Sequence, residues 1–327
     1  MISSLKTLLS AVALATATMM AAGPAHAADD WPTKPIRLVI PFDAGAGTDA
    51  VQRFFATQLS KALGQQIVVE NIGGAGGAIG AMKVVHSPPD GYTLLGTLLT
   101  AVAALPHMQK LQYDALKDVT PIARLGYPVT LLGVNKELGV NTMQEFIAKA
   151  KAEPGKLAYG SAGVGSAPQF RFEALMIETG IKLSHVPYKG GTAYVNDLLA
   201  GRVAAFADGT IGASLGKADK IKLLAVLDDK RVADFPNVPA INEVVPGYKI
   251  PPTWYVLEGP ANLPPAITKR IATELARIAK LPETVEFMEG LRARPSTDPA
   301  DFNIAAEVQA AYDMYGAMIR ERDIKAP

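Results

Sequence analysis

The segment Ile36-Arg37-Leu38-Val39-Ile40-Pro41-Phe42-Asp43-Ala44-Gly45-Ala46-Gly47-Thr48-Asp49 constrains this chain most. An apolar run of strand length meets a proline that ends ladder pairing. Two glycines permit a tight turn, and Thr48 or Asp49 can cap a helix whose apolar side holds Val51, Phe54, Phe55 and Leu59. A strand, glycine turn and helix in that order point free backbone N–H groups above the sheet, where a helix start also carries partial positive charge. The natural guest is an anion such as a carboxylate or phosphate.

The same arrangement recurs. Short β-like runs at Ile36–Ile40, Ile67–Glu70, Thr93–Gly96, Val129–Val134, Leu157–Gly160, Ser184–Val186, Val203–Ala207 and Leu223–Leu227 alternate with helical patterns at 49–63, 76–86, 142–152, 167–179 and 191–200. Alternation of this kind predicts βαβ units and mainly parallel sheets covered on both faces, with ligands beyond the carboxyl ends of strands. After about residue 235 come proline-rich loops, one strand pattern at Thr253–Leu257, and helical patterns at 264–279, 282–291 and 298–320. Such a tail packs back on the first sheet rather than standing alone, so the chain is expected to cross between two lobes near 125–130 and near 248–253.

The first 27 residues carry Lys6, an apolar stretch from Leu8 to about Ala22, and Ala25-His26-Ala27, the three-part pattern of a secretory leader. Its apolar core is shorter than the roughly 20 residues of a membrane span. Removing it leaves 31 basic and 31 acidic residues, without the basic excess of a nucleic-acid binder. The chain has no cysteine, which excludes disulfides, a disulfide-linked partner, thiolate metal sites and a cysteine nucleophile.

Enzymatic signatures fail on spacing. In Asn71-Ile72-Gly73-Gly74-Ala75-Gly76-Gly77-Ala78-Ile79-Gly80, Ile79 stands where a dinucleotide-binding turn needs its third glycine, and no Gly-Lys-Ser/Thr phosphate loop exists. Tyr159-Gly160-Ser161-Ala162-Gly163-Val164-Gly165-Ser166-Ala167-Pro168 is a strand, small-residue turn and helix start, with Ser166 a fair N-cap. It does not make the Gly-x-Ser-x-Gly elbow of a hydrolase. Pro187–Thr192 and Ala207-Asp208-Gly209-Thr210 are two further turns of this type. His86, His107 and His185 lie far apart without metal-ligand spacing. No catalytic residue, metal or cofactor is expected.

A set of motifs in order then identifies a family. Trp31-Pro32-Thr33-Lys34-Pro35-Ile36, Ile40-Pro41-Phe42 with Gly45 and Thr48-Asp49, Val69-Glu70-Asn71 with Gly73-Gly74-Ala75-Gly76, Pro89-Asp90-Gly91-Tyr92-Thr93-Leu94, Val186-Pro187-Tyr188-Lys189-Gly190, and Asp197-Leu198-Leu199-Ala200-Gly201 together resemble the tripartite tricarboxylate transporter substrate receptors, also called Bug receptors. The resemblance covers essentially the whole chain after the leader.

It implies an α/β periplasmic binding protein of type II, with two α/β lobes and a ligand cleft between them. Lobe 1 is then 28–128 plus 252–327, and lobe 2 is 129–251. It implies a leader cleaved near Ala27, capture of a small organic acid or zwitterionic solute without catalysis, and transient contact with inner-membrane permease subunits. A sensor that feeds a signalling partner, or a secreted hydrolase, is the alternative. Carried over residue by residue, the family's ligand contacts fall on Phe42, Ala44, Gly45 and Thr48, on Thr97, Thr100 and Ala101, and on Ser161, Gly165, Ser166, Tyr188, Gly190 and Asp208. Asp43 departs from a small or apolar residue, and Val164 stands near an expected asparagine. A carboxylate at Asp43 beside an anion-binding turn implies a solute less negative than citrate: a monocarboxylate, an aromatic acid or a zwitterion.

Overall fold

A computed structural model describes residues 31–45, 47–188, 193–298 and 304–325. In chain order the strands are β1 (Ile36–Ile40), β2 (Ile67–Asn71), β3 (Thr93–Leu98), β4 (Val119–Pro128), β5 (Leu131–Asn135), β6 (Ala158–Ser161), β7 (Ser184–Pro187), β8 (Ala205–Asp208), β9 (Ile221–Val226), β10 (Tyr255–Pro260) and β11 (Ala293–Pro295). The α-helices are α1 (Gly47–Leu63), α2 (Ala78–Val85), α3 (Leu99–Ala103), α4 (Leu105–Met108), α5 (Met143–Ala152), α6 (Ala167–Thr179), α7 (Val195–Leu199), α8 (Thr210–Lys217), α9 (Ile241–Val244), α10 (Pro265–Ile278), α11 (Pro282–Gly290) and α12 (Ala305–Glu321).

Two sheets make two α/β lobes, with strand orders β11-β4-β10-β3-β1-β2 and β7-β6-β8-β5-β9. The central strand β1 is buried at four of its five positions, so both faces must be covered, and it pairs in parallel with β2 and β3. Helix α1 covers it with Val51, Phe55, Leu59 and Leu63, one residue per turn on the buried side.

The expectation of mainly parallel sheets is corrected to mixed ones. In the first sheet β10 runs antiparallel to β3 and β4, and β11 antiparallel to β4; in the second, β5 runs antiparallel to β8 and β9. The cause is the connection between lobes. Strand β4 leaves the first sheet and β5 starts the second within three residues, and the chain returns to the first sheet as β10, beside its own exit strand. No helix intervenes at the exit, so the parallel rule does not apply there.

Two strands and several short helices have no counterpart in the sequence reading. Pro121, Gly126 and Pro128 gave β4 the punctuation of a loop, yet it lies between β10 and β11, and the β10 register shifts at two places to accommodate it. A Cβ on Gly126 would stand 2.4 Å from the Arg294 carbonyl oxygen, so glycine is required for that close approach. Helices α3, α4, α8 and α9 are too short for a clear 3.6-residue period.

The last helix, α12, joins the two halves. Tyr315 meets Phe170 of α6 edge-on at 4.6 Å and donates its hydroxyl to the Pro252 carbonyl at 2.7 Å. Just beyond the helix, Arg322 Nε donates to Glu173 Oε2 at 2.7 Å. One apolar cluster accordingly runs from Leu99 and Trp254 through Phe170, Leu175 and Tyr315 to Phe146. A second lies under α1 and α10, where Phe54 stacks on Phe287 at 4.1 Å. No helix among the described residues is long and apolar enough to cross a membrane, and the leader assigned to residues 1–27 lies outside them.

Candidate functional site

The carboxyl ends of β1, β2 and β3 in one lobe and of β6, β7 and β8 in the other carry the turns singled out in the sequence. After β1, Phe42 is half-buried, Asp43, Ala44 and Gly45 are exposed, and Thr48 is half-buried at the start of α1. Gly45 has φ +84°, a conformation that a side chain rarely adopts. Its N–H is not free. It donates to Asp49 Oδ2 at 2.9 Å, and Asp49, only 4% exposed, also accepts from Asn71 Nδ2 at 2.8 Å and Arg53 Nη2 at 2.9 Å. Burial pushes the Asp49 carboxyl up, but these hydrogen bonds outweigh it and hold the pKa below the ordinary carboxylate value. Asn71 also reaches the Phe42 carbonyl at 3.0 Å, so β2 fixes the turn after β1.

Asp43 lies against the glycine loop after β2. A Cβ on Gly73 would stand 3.2 Å from Asp43 Oδ1. Near the end of β3 Thr97 is buried, and after it Thr100 is buried and Ala101 half-buried. Thr97 lines an internal cavity of about 10 Å³ with Ala101, Gly77, Tyr113 and Glu258. Glu258 is fully buried, neither carboxyl oxygen has a hydrogen bond, and burial pushes its pKa up to about 8.

In the second lobe Ser161 is fully buried at the end of β6, and its Oγ lies 2.6 Å from His185 Nε2 and accepts the Gly163 N–H at 3.1 Å. Burial holds His185 down to about 4, so the ring is neutral near pH 7. A sealed serine on a neutral histidine, with no carboxylate bonded to that histidine among the described residues, is not an activated nucleophile. Gly165 has φ +79° and donates its N–H to Gln169 Oε1 at 2.7 Å. Ser166 donates its hydroxyl to the Gly163 carbonyl at 2.6 Å rather than capping α6 through its side chain. Tyr188 donates to Asp197 Oδ2 at 2.5 Å. Asp208 accepts the Ile211 N–H at 2.7 Å, and burial raises its pKa to about 6. Gly190 lies outside the described residues.

The turns expected to offer a free N–H at Gly45 and Gly165 therefore spend it internally, each on a side chain four residues ahead. What they leave for a solute is the next N–H groups of α1 and α6 and the partial charge of those helix starts. The reason is local: a buried acceptor one helical turn onward reaches back over the glycine.

The structure adds residues that sequence spacing did not single out. Helix α4 sets Leu105 against Gly76, the following Gln109 donates to the Ala75 carbonyl at 3.0 Å, and Met108 reaches Gly165 of the other lobe. His107 Nε2 lies 2.9 Å from the Tyr312 carbonyl oxygen, which ties α4 to α12. The signal was present only as an apolar stretch with Pro106 at its start. Elsewhere between the lobes runs a groove of about 480 Å³ lined by Arg231, Asp234, Arg292 and Arg294. Its arginines are already paired: Arg292 with Asp234 at 2.6 Å, Arg294 with Asp228 at 3.3 Å, and Arg231 with Glu243 at 2.6 Å. Among the described residues no group of His, Asp and Glu could hold a metal.

The family model for the tripartite tricarboxylate transporter family receptor matches residues 51–324. The chain belongs to this receptor family. It is 38% identical over 287 residues to the UPF0065 protein in the gbd 5' region of Cupriavidus necator, covering 87% of each chain. It is 32% identical over 327 residues to the Bordetella pertussis protein BugT, covering 97% of this chain and 98% of that one. Among solved structures, an R. palustris protein with adipate superposes with a TM-score of 0.79 at 30% identity, covering 91% of this chain and all of that one. As a tripartite tricarboxylate transporter receptor the protein is a solute-binding protein of the periplasmic type and not an enzyme. The two α/β lobes anticipated from its sequence are those of the periplasmic binding proteins it resembles.

Proposed function

We propose that this receptor is exported by the segment ending near Ala27 and captures a small carboxylate solute between lobe 1 (28–128 plus 252–327) and lobe 2 (129–251). It then presents the solute to inner-membrane permease subunits. The observation that carries this reading is the pair of strand-turn-helix units, β1 into α1 in one lobe and β6 into α6 in the other. Each has an αL glycine at the turn and a long helix starting where the strand ends. Two helix starts from opposite lobes favour a carboxylate between them without a buried cation. Each hydrogen bond to a charged oxygen contributes about 1.5–3 kcal/mol once water is excluded, so four or five suit micromolar capture after association costs. Phe42, Ala44, Gly45, Thr48, Thr100, Ala101, Gly165, Ser166, Tyr188 and Gly190 form or frame that grip, with Thr97 and Ser161 behind it.

The acids set the charge of the guest. Asp43 is exposed beside the glycine loop, and Asp208 is desolvated at the end of β8. A solute with one carboxylate and a neutral or cationic remainder meets both without repulsion, whereas a second carboxylate beside Asp43 costs affinity. Adipate in the R. palustris relative supports the carboxylate class. Calorimetric titration of the purified, ligand-stripped protein with hexanoate, benzoate, glutamate, adipate and citrate tests the reading. Citrate should bind most weakly, and Asp43→Ala should raise the adipate affinity. Failure of every organic acid to bind would end this proposal.

A further inference from the structure

One contact across the cleft bears on what lies beside the carboxylate. Met108, at the end of α4, extends from the first lobe to the Gly163–Ser166 turn of the second. A Cβ at Gly165 would fall 2.9 Å from the Met108 Cε and 3.0 Å from its Sδ, so the end of the thioether lies directly against this turn. Gly165 also holds φ +79° and has committed its N–H to Gln169. Val164, the neighbouring side chain, is half-buried, and it and Met108 each pack against the same apolar cluster.

Helix α4 is fixed on every other side. Leu105 fills the space over Gly76, Gln109 holds the Ala75 carbonyl, and His107 contacts both the Tyr312 carbonyl and Gly316 of α12. The backbone of this short helix is therefore braced, and the freedom that remains at the contact is in the unbranched Met108 side chain, which re-packs readily.

Resting on the carboxylate-receptor reading, we infer that Met108 and Val164 form an apolar wall spanning the two lobes. This wall selects acids whose body is unsubstituted hydrocarbon, aliphatic or aromatic, over hydroxylated acids of similar length. A hydroxyl pressed against a thioether and a valine loses its water and gains no partner. A methylene or aryl edge gains contact there instead.

The test uses the full chain expressed for export, purified and freed of ligand by unfolding and refolding. Calorimetry with hexanoate and benzoate on one side, and 6-hydroxyhexanoate and 4-hydroxybenzoate on the other, should give the wild type a preference for the first pair. Met108→Gln, close in length but polar, should weaken hexanoate and benzoate about tenfold, equivalent to about 1.4 kcal/mol. It should move the two hydroxylated acids by less than about twofold. Val164→Asn should shift preference toward the hydroxylated pair, and Met108→Leu should retain the wild-type order. The ligand-free melting temperatures of these variants should match, which separates selection from a loss of fold. A wild type that binds acids but prefers the hydroxylated pair, or a Met108→Gln variant that weakens all four acids alike, overturns the inference while leaving the receptor reading intact. A wild type that binds no acid at all removes both.

Discussion

Asp49 Oδ2 accepts the N–H of Gly45 at 2.9 Å, so the helix that follows the first-lobe turn supplies its own anion. The carboxylate is only 4% exposed and also carries the Asn71 and Arg53 contacts, which makes it the knot that ties β2, the turn and α1 together.

Removing that knot should loosen the turn before it changes any ligand contact. Asp49→Ala should cost about 2–3 kcal/mol in urea unfolding at pH 7, because it removes the buried charged acceptor shared by the Gly45 N–H, the Asn71 amide and the Arg53 guanidinium. The Asp49 pKa is held below its ordinary 3.8, so its contribution is present above that value and is lost as pH falls through the folded-state pKa. The gap between wild type and variant should therefore narrow at pH 3.

Glu258 should act in the opposite direction. The unfolded chain releases this proton near 4.5, while the folded protein keeps it to about 8. Between those values the folded state binds more protons, so stability falls as pH rises, by at most about 1.4 kcal/mol per unit. Glu258→Gln removes that slope and should be more stable than wild type at pH 8 by about 2–4 kcal/mol. Chemical denaturation across pH 5–9 reads this directly, and an unchanged slope would show that Glu258 ionises normally.

For His185 the window lies lower. Burial takes it from 6.5 to about 4, so between those values the unfolded chain binds the extra proton and stability is lost as pH falls. His185→Gln, which can still reach Ser161 with its amide, should flatten the stretch from pH 6.5 to 4. In the wild type this slope and that of Glu258 oppose each other below pH 6.5, and the net decline should show mainly above it.

The ion pairs Arg292–Asp234 and Arg294–Asp228 join the lobes at the rim of the large groove, and all four side chains are partly solvated. Asp234→Asn should change stability by less than about 1 kcal/mol. Melting curves in low and high salt should bring variant and wild type together as the charges are screened.

What could be read from the chain was the part written in local pattern. The unit from Ile36 through Asp49 and the turn from Tyr159 to Pro168 appear where strand length, glycine and capping residues placed them. The side-chain acceptors were not legible. Gln169 and Asp49 look like ordinary polar helix residues until the fold buries them over Gly165 and Gly45. Strand β4 was hidden because Pro121 and Gly126 are tolerated only through bulged pairing with β10 and close approach of Arg294, both long-range facts. The Met108 contact depends on two segments 57 positions apart meeting across the cleft, which no spacing rule encodes.

Helix α12 also constrains how the molecule can flex. Tyr315 is wedged against Phe170 on one side and hydrogen-bonded to Pro252 on the other, and Arg322 grips Glu173 beyond the helix end. A hinge at the β4–β5 link alone would tear these contacts open. Any movement between the lobes that preserves these contacts therefore turns about this terminal strut.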